Sequence, residues 1–444
     1  MRVLDTRTLR FVEFDEPGGV EYAILSHTWD PGGEQTLQQL CELQREYPDD
    51  SILDAPLLSK KIRDFCIYAR KRGYKYAWAD SCCIDKTSSA ELSESINSMY
   101  AWYQKAHACY VYLSDVNSTS LDWKREFRDS RWHTRGWTLQ ELIAPEIVEF
   151  LFNDWSVIGS KSTLSPLLED ITGIDADVLT SKIPLSAVSV ACRMSWAASR
   201  DTIRPEDHAY SLFGVFGVHL PTVYGEGRDR AFFRLQEAIL TETGDHSIFA
   251  WGLGGLETQL RTSNIVFELH RSSEDFTFQS TWEHALLASS PDEFKESSKL
   301  IRVPKLEFEA TFRLVPKIGC YLDFSVYGRL TRVPVYRIHA QVLPVPTYIA
   351  PLPCRHPSKG WVALVLGQEV SPPYGFTVKA PVSTPAEGID GSKQLEYIRA
   401  TYIPYRQAEI LWLGAVSADM RAMWFMATIL VRGRTIFRST RRWH

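Results

Sequence analysis

Long apolar runs are missing from this 444-residue sequence, and the longest, such as Met423 to Val431, falls well short of the roughly 20 residues that a membrane helix needs. The opening residues Met1-Arg2-Val3-Leu4-Asp5 hold no signal-peptide core either, so the expected location is the cytoplasm, with no membrane partner. Among eight cysteines no C-x-x-C pair occurs, and Cys82 and Cys83 are adjacent at what reads as a strand end, a poor geometry for a shared metal. Reduced thiols and no metal site are the expectation. Positive charge is also in deficit: 49 Lys and Arg against 54 Asp and Glu leave a net charge of -5, which repels a phosphate backbone and argues against a nucleic-acid partner. The one basic cluster, Arg432, Arg434, Arg438, Arg441 and Arg442, reads as a solvated tail. There is no G-x-G-x-x-G after the first strand, no P-loop lysine, no H-E-x-x-H and no G-x-S-x-G. These absences remove a resident Rossmann cofactor, P-loop chemistry, zinc peptidase and serine hydrolase readings.

What is present is the balance of a folded chain, 45% hydrophobic and 23% charged, at a length that calls for two or three domains. Residues 1–155 alternate short apolar strands with amphipathic helices, the pattern of an α/β fold with a mainly parallel sheet and helices on both faces. Tyr22 to Ser26 is the first strand. Leu58, Ile62, Phe65, Cys66 and Ala69 recur at helical spacing, Gly73 stops that helix, and Tyr76 to Asp80 follows as a strand. Ser88 and Glu91 stand in capping-box spacing ahead of the apolar face Ile96, Met99, Tyr100 and Tyr103, which leads to the strand Cys109 to Leu113. Trp137 to Ile143 is a short helix ended by Pro145, and Ile147 to Phe152 supplies a fourth strand. Residues 156–252 turn helical, with Ala191–Ala198 and Ala231–Leu240 as candidate helices. Residues 253–444, rich in glycine, proline and short runs such as Val333–Ile338 and Trp361–Leu366, form a separate β-rich C-terminal domain, with the boundary near Gly252 to Gly255.

In open sheets of this kind ligands bind beyond the carboxyl ends of the strands. Polar residues gather there: Ser26 and His27 after strand one, Asp80 at the end of strand two, Ser114 and Asp115 after strand three, Asn153 and Asp154 after strand four. Each has an ordinary competing role as a turn or helix cap.

Three ordered segments resemble the fungal HET (heterokaryon incompatibility) domain: Tyr22-Ala-Ile-Leu-Ser-His-Thr-Trp29; Tyr76-Ala-Trp-Ala-Asp-Ser-Cys-Cys-Ile-Asp-Lys86 running on to Met99; and Ser130-Arg-Trp-His-Thr-Arg-Gly-Trp-Thr-Leu-Gln-Glu-Leu-Ile-Ala-Pro145. A fourth runs from Arg204-Pro-Glu-Asp-His-Ala-Tyr210 to Tyr224-Gly-Glu-Gly227. The resemblance spans roughly residues 1 to 252, with Lys86 standing where many members carry glutamine and Cys83 where leucine is common. It implies a flavodoxin/TIR-like sheet. Many TIR domains cleave NAD with a glutamate four residues after a tryptophan, and Trp137-Thr-Leu-Gln-Glu141-Leu142 has that spacing, which points to Glu141 as the catalytic acid.

Residues four apart share a helix face, so Trp137 and Glu141 are expected to project together, with Arg135 arriving from the preceding turn. A carboxylate beside the breaking nicotinamide–ribose bond stabilises the oxocarbenium-like state, and the nicotinamide leaves as a neutral base. The competing role is a surface glutamate paired with Arg135. His27 reads either as a proton-handling group or as a strand-end histidine bonded to backbone. Asp80 is divided between a ribose contact and helix capping, and Trp29 and Trp132 between base stacking and packing. Glu206 and Asp207, beside Arg204, look like an ion-paired helix start. The resemblance thus implies an NAD-cleaving cell-death effector with NAD or a related nucleotide as substrate, no cofactor and a homo-oligomer on activation; for the C-terminal domain the sequence leaves three roles open, sensing a protein partner, holding the HET domain inactive and driving assembly. The other reading is a non-enzymatic interaction module that triggers death by assembly.

Overall fold

A computed structural model describes residues 1–15, 19–48, 50–253 and 287–311, together with the strand segments 266–269, 276–278, 320–326, 329–334, 336–339, 347–368, 393–403, 425–430 and 438–439. Of the terminal arginines only Arg438 falls on these, and Gly254 and Gly255 of the expected boundary lie outside the described residues. The chain divides into two compact units, residues 1–187 with 196–235, and 188–195 with 236–444.

The first unit is built on a seven-stranded sheet. Its elements begin with a hairpin, β1 (Arg2–Asp5) and β2 (Phe11–Glu13), and the first parallel strand β3 (Tyr22–His27). Then follow α1 (Leu37–Glu46), α2 (Lys60–Lys71), β4 (Tyr76–Trp78), α3 (Asp80–Cys83), α4 (Ser89–Lys105) and β5 (Ala108–Tyr112). Next come α5 (Trp123–Asp129), a 3-10 turn at Arg131–Thr134, α6 (Thr138–Ile143), β6 (Val148–Leu151) and β7 (Val157–Ser160). The spatial order is β2-β1-β4-β3-β5-β6-β7. Strands β4, β3, β5 and β6 pair parallel, while β1 and β7 pair antiparallel to the two sides of that core.

The parallel core thus carries its first four chain-ordered strands as 2-1-3-4, the doubly wound order whose direction of travel reverses between strands one and three. Every residue of β3 is buried, so both faces of the sheet are covered, as a parallel strand requires. Ile62, Phe65, Cys66 and Ala69 form the buried stripe of α2, and Ile96, Met99 and Tyr103 that of α4, at the spacing the sequence predicts. Only half of the expected capping box forms at α4. Ser88 accepts from the Glu91 backbone N–H, but the Glu91 carboxylate turns to the Asp85 N–H and to Arg2, an ion pair that ties down β1.

Two local expectations are corrected. The second strand ends at Trp78, and Asp80 opens a helical turn instead of closing a strand, with the Cys83 N–H bonded to the Ala79 carbonyl at 2.9 Å. Cys82 and Cys83 therefore sit in a helix, and neither forms a disulfide. The terminal hairpin β1–β2 escaped the sequence reading because its strands are only four and three residues long.

The rest of the first unit is helical, with α7 (Ser165–Thr172), α8 (Ala176–Leu179), α10 (Asp207–Tyr210) and α11 (Phe213–Phe216). α9 (Val190–Ser195) groups with the second unit, and the division between units falls within α12 (Arg228–Thr243). The second unit is mainly strand. One seven-stranded sheet includes Thr347–His356, Gly360–Gln368 and Lys393–Ile403 in antiparallel succession, and a four-stranded one is centred on Cys320–Val326. Among the described residues no helix is long and apolar enough to cross a membrane.

Candidate functional site

β3 and β5 are the neighbours between which strand order reverses, and the carboxyl end of β3 delivers Ser26 and His27 to that crevice. The third wall comes from the stretch between β5 and β6. Asp115 accepts from Ser130 Oγ at 2.8 Å and from the Arg131 N–H at 2.9 Å, which fixes the 3-10 turn carrying Trp132; α6, carrying Glu141, follows directly.

These pieces close a directed chain of hydrogen bonds. Trp132 Nε1 donates to Ser26 Oγ at 2.7 Å, and Ser26 Oγ donates to Glu141 Oε2. An indole N–H only donates, so the serine must accept from it and point its own proton at the carboxyl. The Tyr103 hydroxyl, which donates to the Leu25 carbonyl at 3.0 Å, also faces this carboxyl. Glu141 is only 7% exposed. Burial pushes its pKa up to about 8, with the charge of Asp80 adding to the effect, against the Ser26 hydrogen bond, the nearby Tyr103 hydroxyl and the charge of Arg135. An acid poised there exchanges its proton near neutrality and ionises more readily when a cation arrives beside it.

His27 lies wholly buried beside this network, 3.7 Å from Glu34 and 4.0 Å from Asp80, with neither ring nitrogen hydrogen-bonded. Burial holds it below its ordinary pKa, against the charges of Asp80 and Glu34. Lys61, itself buried, bonds Glu34 and reaches Asp30 at 3.0 Å and the Thr28 carbonyl at 3.3 Å. At the rim, Trp29 Nε1 donates to Asp80 Oδ2 at 3.0 Å while the Lys86 ammonium lies 4.7 Å from the indole centroid.

Of the residues singled out from the sequence, the structure therefore brings Ser26, His27, Trp29, Asp80 and Glu141 to one place. Trp137 goes elsewhere. It stands at the start of α6 and its indole donates to Asp207 Oδ2 at 3.2 Å, so the ring joined to the Glu141 network is that of Trp132. Arg135 contributes its charge, and its carbonyl accepts from Arg200 Nη1 at 2.9 Å. The expected ion-paired start at Glu206 and Asp207 is replaced by neutral donors: Glu206 accepts the N–H groups of Gly225 and Gly227, and Asp207 those of Trp137 and the Tyr224 hydroxyl. Asp154 is spent on capping its own turn through Ser118 and Ser156. Sequence reasoning passed over Tyr103, counted there as an apolar face residue, and Glu34, Lys61 and Arg200. Arg200, a lone cation after Trp196-Ala197-Ala198-Ser199, carried the one available signal.

Comparison with known proteins bears on the same region. Residues 22–126 match the family described as Heterokaryon incompatibility protein (HET), and residues 230–374 match one described as Domain of unknown function (DUF8212). The chain is 43% identical over 258 residues to Vegetative incompatibility protein HET-E-1 of Podospora anserina, a match covering 53% of this chain and 18% of that protein. This chain thus spans less than a fifth of the relative's length. No solved structure matches.

Proposed function

We propose, from the match of residues 22–126 to the HET family and the likeness to HET-E-1, that this chain is an incompatibility effector that cleaves the nicotinamide–ribose bond of NAD or a related nucleotide through Glu141. The buried Glu141 carboxyl, held by Ser26 at the crevice where strand order reverses, is the observation that carries this reading. In the reaction the C1′–N bond breaks and its electron pair leaves with neutral nicotinamide. The carboxylate faces the oxocarbenium-like ribose that forms, and water adds its oxygen to C1′ and releases a proton. The positive charge of the bound nicotinamide ring favours the ionised acid and so draws its proton off before bond cleavage. Trp29 offers a flat face and Asp80 a ribose contact at the rim. Assembly into a homo-oligomer completes the site, with the C-terminal unit as sensor of a protein partner.

Purified chain is incubated with NAD and released nicotinamide is measured beside Glu141→Ala, over a range of protein concentrations. Release that rises faster than protein concentration and vanishes in the variant supports the reading. Equal release from the variant sinks it. Toxicity that survives Glu141→Ala while self-association is intact identifies an interaction module working by assembly instead.

A further inference from the structure

We propose that Arg200 is a positioning residue for Glu141: with Asp201 and Thr202 it clamps the Thr134–Thr138 backbone from which the acid is hung. The inference rests on Glu141 as the working acid and adds the device that aims it. α6 is only a six-residue helix, too short to hold its own geometry in isolation, so its orientation must be imposed from outside.

The segment that imposes it arrives through Ser199, whose φ of 62° is left-handed for a residue with a side chain, a strained turn that surrounding contacts must maintain. Two backbone bonds then zip the strands together. Asp201 N–H donates to the Thr134 carbonyl at 2.7 Å, and Gly136 N–H donates to the Asp201 carbonyl at 2.8 Å. Arg200 adds a three-way fork. Nε bonds the Trp196 carbonyl at 2.9 Å, while Nη1 bonds the Arg135 carbonyl at 2.9 Å and Thr138 Oγ1 at 3.1 Å, the latter in the first turn of α6. Arg200 is 6% exposed. A planar fork fits three acceptors at once in a way a lysine cannot. Gly136 shows how closely the two segments fit, because a Cβ there would lie 2.5 Å from Thr202 Cγ2.

The buried cation also acts on the acid by charge: burial holds Arg200 down to about 10, and Glu141 is the charge that opposes this. Other titratable and charged groups acting on Glu141 are Asp80, Tyr103 and Cys109, with Arg135 on its own segment. Removing Arg200 therefore leaves Glu141 harder to ionise as well as less well aimed.

The test uses the full chain and two readouts, one of which needs no activity. The carboxyl stretching band of Glu141 is isolated in infrared spectra by subtraction of Glu141→Gln and followed against pH, and nicotinamide release is resolved into kcat and KM. Arg200→Gln is expected to move the carboxyl midpoint up by about one unit and to lower kcat about tenfold with KM little changed. Arg200→Lys is expected to restore the midpoint but not kcat. Should Arg200→Gln fail to fold, a steric pair decides: Gly136→Ala shifts the band, and adding Thr202→Ser, which deletes the opposing methyl, returns it. A folded Arg200→Gln with an unmoved midpoint, or a Gly136→Ala shift that Thr202→Ser leaves in place, overturns the proposal. If the wild type releases no nicotinamide, the enzymatic reading fails and the band measurements still decide the clamp.

Discussion

Glu141 and Glu206 are both buried acids of the same unit, and the difference in their partners separates chemistry from architecture. Glu206 accepts the N–H groups of Gly225 and Gly227 at 2.9 and 3.0 Å. Both glycines take left-handed backbone, φ 97° and 83°, which turns their amides onto one oxygen. Backbone N–H groups only donate, and both meet the same oxygen, so a proton on the other oxygen of Glu206 would weaken what holds it. Burial pushes that carboxyl up, yet the amides of Glu206 itself, Gly227 and Gly225 outweigh it and keep the acid below its ordinary value. Glu141 instead meets hydroxyls, those of Ser26 and Tyr103. A hydroxyl either gives or takes a hydrogen bond, so this acid can change protonation state without orphaning its neighbours. One acid is locked as a charge; the other is free to titrate.

The contrast is broken most directly by exchanging each acid. Glu141→Gln keeps size and an acceptor for Ser26, so it should fold and lose at least about a hundredfold in nicotinamide release, the scale of removing one electrostatic stabiliser. Glu206→Ala should do the reverse. It removes the acceptor of two partly exposed amides, costs about 1 kcal/mol of stability by urea unfolding, and leaves the pH profile of release where it was. If Glu206→Ala moves that profile, or if Glu141→Gln retains wild-type release, the division of labour is wrong.

How far the division was legible beforehand can be argued from the same residues. The parallel core, its helices and the crevice followed from short apolar runs and period-3.6 patterns, because buried strands and amphipathic helices write their burial into local sequence. That Ser26, His27 and Asp80 would meet was legible too, since strand ends of a doubly wound sheet converge. The partner of Glu141 was not. Helical spacing put Trp137 on its face, but Trp137 precedes the first turn of α6 and is drawn off by Asp207, seventy positions away. Trp132, from a 3-10 turn, took the place instead. Long-range side-chain bonds leave no period in the sequence. The acids at Glu206 and Asp207 looked ion-paired for the same reason: Arg204 is adjacent in sequence, whereas Gly225, Gly227 and Tyr224 arrive from a loop.

Acidity sharpens the comparison at smaller amplitude. For Glu141 the folded pKa of about 8 lies above the value of about 4.5 in an unfolded chain, so its contribution to stability is complete below about 4.5 and is lost as pH rises through about 8. Stability measured against Glu141→Gln should therefore turn against the wild type between about pH 5 and pH 9. Over the same interval kcat/KM for nicotinamide release should climb, since the free protein must ionise this acid. On the other side stands His133, which burial, aided by the Arg200 charge, holds down to about 4. A histidine lowered below its unfolded value of 6.5 contributes stability above that value and loses it as pH falls through about 4. Urea midpoints across pH should fall away on both sides, and only the alkaline limb should vanish in Glu141→Gln.

Trp132→Phe is the mildest of these changes. It keeps the ring that packs edge-on to Phe150 at 5.5 Å and removes only the N–H that donates to Ser26 Oγ. Freed from that donor, the serine hydroxyl no longer has its proton directed at Glu141 alone and can rotate toward other acceptors. Loss of one neutral hydrogen bond in a buried network is worth about 1 kcal/mol, so release should fall by about fivefold and the Glu141 midpoint should rise, because a hydrogen bond that favours the ionised acid has weakened. Trp137→Phe removes an equivalent N–H from Asp207, outside this chain of bonds, and should leave the midpoint untouched. Equal shifts from the two tryptophans would mean that the directed chain through Ser26 does not govern the acid, and that the neighbourhood acts on it only through burial.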